Sequence, residues 1–155
     1  MARRAKEGGG PTMPEWKDQF LSKLDQVQAQ WSKRFDERLD AVANPAFEEF
    51  GVFLRTHGFH LSSPMRQEGR RSYKFELSEN AYVLLIFRSS SVGEFELRCE
   101  CFVPGNEPMM SKSLGRVMDI DDAWTRGQMQ SALDSFVDRL GGAPRRERAE
   151  ELVAV

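Results

Sequence analysis

The chain has 155 residues, 40% of them hydrophobic, and a formal net charge of −2. It is long enough for one domain with a real core, and too nearly neutral for a whole-domain nucleic-acid footprint or for attraction to an anionic membrane. No run approaches the roughly 18 to 20 apolar residues of a membrane span, and no apolar run follows the basic start Arg3-Arg4-Ala5-Lys6. The expected location is therefore the cytoplasm.

Residues 1–13 combine Arg3, Arg4 and Lys6 with Gly8-Gly9-Gly10 and Pro11, a composition that predicts a disordered basic tail. Residues 14–43 predict one long amphipathic helix, about 45 Å long if straight, with Pro14 in its first turn. Trp16, Phe20, Leu24, Val27, Trp31, Phe35, Leu39 and Val42 recur at steps of three and four. At 100° per residue all eight fall within an arc of about 140°. Helical propensity alone leaves such a segment marginal, so the stripe must dock on something.

Residues 44–142 predict an α+β domain. Asn44-Pro45 reads as a helix stop and restart, Asn as cap and Pro at the first helical position. The second helix presents Phe47, Phe50, Leu54 and His57, with Phe53 beside them, and ends at Gly58. From Phe59 the period falls to two. Tyr73, Phe75 and Leu77 alternate with charged residues, as do Phe95, Leu97, Cys99, Cys101 and Val103. Between them Tyr82–Phe87 is apolar on both faces and predicts a central strand covered on two sides, with Val83, Leu85 and Phe87 on the second face of the sheet. Short turns favour an antiparallel meander. A first strand within 60–66 is weakened by Pro64 and belongs at an edge, and residues 114–120 add a short last strand. Asp121-Asp122 opens a final helix carrying Trp124, Met129, Leu133, Phe136, Val137 and Leu140, stopped by Gly141-Gly142 and Pro144. Residues 143–155 read as a charged C-terminal tail. The fold class is α+β: a long N-terminal helix and a second helix, then a four- or five-stranded antiparallel meander and a C-terminal helix packed on the sheet.

Chemical motifs are sparse. No phosphate loop, dinucleotide glycine pattern or nucleophile elbow occurs, and no cofactor is implied. The two histidines and two cysteines, His57, His60, Cys99 and Cys101, would complete a tetrahedral zinc site if the fold brought them together. Against that, the cysteines occupy the inward register of a strand, where they behave as small hydrophobes, and two cysteines two apart on a strand lack disulfide geometry. Asp119-x-Asp121-Asp122 lacks the Gly and Glu of a calcium loop and suits a helix N-terminus. Glu48, Glu49 and His57 could share one helix face as a cofactorless acid–base site, although a solvated rim with one histidine near a helix C-terminus explains them better. Arg66, Arg70, Arg71 and Lys74 cluster on the first hairpin and could follow phosphates, with the basic tail as a mobile arm.

The long helix points to a third class, an interaction or assembly module. A domain of about 100 residues has a radius of gyration near 13 Å, so a 45 Å helix overhangs it. The eight stripe residues are the candidate partner-binding surface. The expected occupant is a partner protein or, most simply, a second copy in a symmetric homodimer.

Overall fold

The computed structural model describes residues 10–142. The tail expected at 1–13 lies outside that range apart from its last residues, and the tail expected at 143–155 lies wholly outside it.

The first helix, α1, runs Met13–Arg38 and starts one residue earlier than Pro14 suggests. Thr12 caps it: its hydroxyl accepts from the Glu15 N–H, and the Glu15 carboxylate accepts in return from the Thr12 N–H at 2.8 Å. This reciprocal capping box satisfies donors that a helix start otherwise leaves free. The hydrogen bond from the Thr12 backbone, with a second from its hydroxyl, holds the Glu15 carboxyl below its ordinary pKa.

The expected break at Asn44-Pro45 does not occur. A π-helical segment, Leu39–Ala43, joins α1 directly to α2, Asn44–Arg55, and Asn44 has helical dihedrals with its N–H bonded to the Leu39 carbonyl five residues back. A proline within a helix removes one intrahelical bond and crowds the carbonyl four residues earlier, here that of Ala41. Widening one turn relieves the clash without ending the helix. Packing keeps the path continuous, because Phe35, Leu39, Ala43, Ala46 and Phe47 are all buried on one side of it. Gly58, with φ near +90°, reverses the chain after α2, where a side chain would be strained.

Five antiparallel strands follow in simple meander order: β1 Met65–Gln67, β2 Arg70–Ser78, β3 Ala81–Ser91, β4 Glu94–Phe102 and β5 Met109–Arg116. The last strand begins at Met109, ahead of the expected 114–120, pairing Met109 with Cys101, and Val117–Asp119 is a 3₁₀ turn rather than strand. Its largely polar, exposed residues carry little alternation, which is why the sequence pattern misses its start. The final helix, α3, spans Asp122–Gly141, with the Asp121 carboxylate accepting from the Trp124 N–H at 2.8 Å.

Register decides which face is core. Arg71, Tyr73 and Phe75 stand opposite Phe87, Leu85 and Val83, which in turn stand opposite Leu97, Cys99 and Cys101. Residues opposed in an antiparallel pair share a face. Val83, Leu85 and Phe87 therefore belong to the same face as Tyr73 and Phe75, correcting the expectation of a second apolar face built from them. One buried cluster unites that face with Phe35, Leu39, Phe47, Met129, Leu133 and Phe136 from the helices. The helices form one layer and the sheet the other. Opposite lie Tyr82, Leu84, Ile86 and Phe102, flanked by ion pairs such as Lys74–Glu76 and Arg98–Glu96. Long charged side chains can cover a mid-sheet apolar strip with their stems. The central strand is thus covered by helices on one side only.

Candidate functional site

The stripe of the long helix divides at Trp31. Inward of it, Phe35 and Leu39 are 0% exposed and Val42 is half-buried, so this half packs into the chain's own core. Trp31 itself rests on the turn between β3 and β4. Gly93 has φ near +76°, so the turn requires glycine, and its Cα side packs directly against the indole. The Arg34 guanidinium lies 4.6 Å above the same ring.

Beyond Trp31 the helix continues toward its N-terminus with no sheet beneath it. Trp16 is 49% exposed and Phe20 47%, their rings stacked on each other with centroids 5.2 Å apart. Val27 is exposed and Leu24 half-buried, while Met13 and Leu21 add exposed apolar surface to the same overhang although the eight-residue stripe omits them. Scattered exposed hydrophobics need no explanation, but a contiguous row on one helix does. Two hollows flank Trp31 at the base of this overhang. One, of about 210 Å³, lies between Gln28, Trp31 and the Ser89–Val92 turn; the other, of about 610 Å³, is lined by Trp31, Arg34, Arg38 and Met118. Val92 and Met118 are exposed at their rims.

The basic hairpin does not stand free. Arg71 is 1% exposed. Its Nη1 donates to Asp40 Oδ1 at 2.8 Å and to Asn44 Oδ1 at 3.2 Å, and its Nη2 lies 3.6 Å from Asp36. Arg66 lies 3.6 Å from Asp36 and 3.8 Å from Asp40. Lys74 is paired with Glu76 at 3.1 Å and lies over the Tyr82 ring. Arg70 is exposed, but three of the four candidate phosphate contacts are spent on the chain's own carboxylates. The Tyr73 hydroxyl donates to the Asn44 side-chain oxygen, and burial raises its pKa to about 12 against the opposing pull of Arg71. Asp36, Asp40 and Asn44 are the partners of this cluster that sequence reasoning missed. One signal was present: Arg71 stands in the inward register of Tyr73 and Phe75, so its charge had to meet a partner inside.

Nor are the histidines and cysteines brought together. His60 forms a bridge with Glu76 beyond β2, on the solvent face of the sheet. Cys99 and Cys101 lie two strands further on and share the covered face with Leu85 and Val83. His57 Nδ1 is engaged by the Thr56 hydroxyl and the Phe53 carbonyl at the end of α2. Among the described residues no three His, Cys, Asp or Glu side chains converge as metal ligands. Burial raises both thiols above the ordinary cysteine range, which keeps them protonated and weakly nucleophilic. Glu48 and Glu49 pair with Arg55 and Arg126 rather than with His57. No helix of the described chain is long and apolar enough to cross a membrane.

Comparison with protein-family models, curated proteins and solved structures finds no match to this chain.

Proposed function

We propose that this protein is a non-enzymatic interaction or assembly module that docks another protein chain on the overhanging part of its N-terminal helix. The observation that carries the reading is the division of one stripe into two halves. Phe35 and Leu39 are fully buried against the chain's own sheet, whereas Trp16 and Phe20, in line with them, are about half exposed. An isolated amphipathic helix is marginal in water unless its apolar face is covered. The inner half is covered within the chain, and a second chain would cover the outer half.

Electrostatics favour this reading over nucleic-acid binding. Phosphate recognition needs free cations, and Arg66, Arg71 and Lys74 are each engaged by carboxylates. The buried, protonated thiols and the separated histidines offer no convergent site for covalent or metal chemistry.

A photoreactive phenylalanine analogue in place of Phe20, in the full chain expressed in cells, tests the proposal. Irradiation should join this position to a protein chain, and the same analogue in place of exposed Val52 on α2 should give little adduct. Equal, weak labelling from both positions would contradict the docking function.

A further inference from the structure

Resting on the docking function proposed above, we infer that the occupant of the overhang is a second copy of this chain, laid antiparallel so that each helix tip seats at the base of the other helix. Three observations bear on this.

The first is spacing. Trp16, Phe20, Leu24, Val27 and Trp31 follow steps of four, four, three and four; read backwards they are four, three, four and four. A stripe so close to palindromic meets its own reverse. Aligning Trp16 with Trp31 of the second copy brings Phe20 beside Val27, and Leu24 next to the two-fold axis. An isologous contact needs this self-complementarity.

The second is shape. The tip carries the stacked Trp16 and Phe20 as knobs, whereas the base carries the two hollows beside Trp31, rimmed by Val92 and Met118. Trp16 and Trp31 are roughly 22 Å apart along the axis. The antiparallel arrangement delivers each knob to a hollow. A parallel one sets knob against knob and leaves both hollows to water.

The third is area. Half-exposed Trp16 and Phe20 each offer on the order of 100 Å². With Met13, Leu21, Leu24 and Val27, two chains together bury at most roughly 1,000 to 1,200 Å², the size of a weak, transient interface. A weak, reversible dimer is in keeping with this short overlap.

Cysteine reporters placed in a chain whose Cys99 and Cys101 are replaced by Ala distinguish the arrangements. Lys17→Cys and Gln28→Cys are exposed substitutions outside the core on the same flank of the stripe, and the antiparallel seam sets position 17 of one copy near position 28 of the other. Mixed and mildly oxidised, the two variants should give the 17–28 disulfide several-fold above either homodisulfide, and Phe20→Asp should abolish it. Dominant 17–17 and 28–28 bonds would overturn the antiparallel arrangement. Absence of every disulfide, while the Phe20 photo-adduct carries a different protein, would overturn the second copy and leave the docking function standing. Absence of both disulfide and adduct would overturn the two together.

Discussion

Arg71 Nη1 stands 2.8 Å from Asp40 Oδ1, and this contact fastens the start of β2 to the π-helical turn of the long helix. Arg71 lies almost wholly out of water, while Asp40 remains about half exposed. A buried guanidinium depends on its partners, since an uncompensated buried charge costs several kcal/mol. The network thereby fixes where the long helix lies on the sheet, and so where the overhang begins.

Arg71→Ala should destabilise the chain by about 3 kcal/mol. Asp40→Ala should cost less, about 1 to 2 kcal/mol, because Asp36 and the Asn44 side chain still face the guanidinium. Urea denaturation of the two variants checks the order. Equal, negligible effects would mean that the pair does not anchor the helix.

Tyr73 makes the same junction sensitive to alkali. Its pKa is raised by burial to about 12, from an ordinary value of 10.0. A raised pKa means the folded state holds the proton more tightly. That stability is complete below pH 10 and is lost as pH rises from 10 toward 12, a loss on the order of 2 kcal/mol. Tyr73→Phe should be less stable at neutral pH through loss of the bond to Asn44, yet lack this alkaline decline. Absorbance at 295 nm should show a late-titrating phenolate that the variant lacks.

Phe20 and Phe35 share one stripe but should behave oppositely. Phe35→Ala opens a cavity in the core and should cost about 3 to 5 kcal/mol. Phe20→Asp should change the stability of the isolated fold by less than about 1 kcal/mol while weakening assembly at least tenfold. Thermal melts of dilute protein and sedimentation of concentrated protein separate the two effects.

Much of the fold is legible in the sequence. Three-and-four spacing marks α1, period-two alternation marks β2 and β4, and Asp121 marks the start of α3. Features set by distant partners are not legible. Pro45 announces a disruption, but only the packing of Phe35, Leu39, Ala43 and Phe47 on one surface decides that it becomes a wide turn rather than a break. The parity of β3 is ambiguous because both of its faces are apolar; pairing with Tyr73 and Phe75 settles it. The arginine cluster looked like a phosphate surface because Asp36 and Asp40, some thirty residues earlier, belong to another element. The mismatch between a long stripe and a small domain was readable. The point of division at Trp31 was not, since it depends on where the β3–β4 turn ends.

Thr12 and Glu15 should govern the order of the overhang's first turn. The hydrogen bonds from Thr12 lower the Glu15 pKa. Their stabilisation is therefore complete above the ordinary glutamate pKa and is lost as pH falls through the lowered value. Measured against the intrinsic exchange rate at each pH, the protection of the Glu15 and Trp16 amides should fall in acid, and Thr12→Ala should bring a similar loss of protection at neutral pH.

Sedimentation equilibrium of the full chain, from low-micromolar to submillimolar concentration, tests the central claim most directly. The average mass should rise from 17.7 kDa toward twice that value, and Phe20→Asp should hold it at the monomer with its melting temperature little changed. A wild-type chain that stays at 17.7 kDa across the whole range would contradict assembly through the overhang.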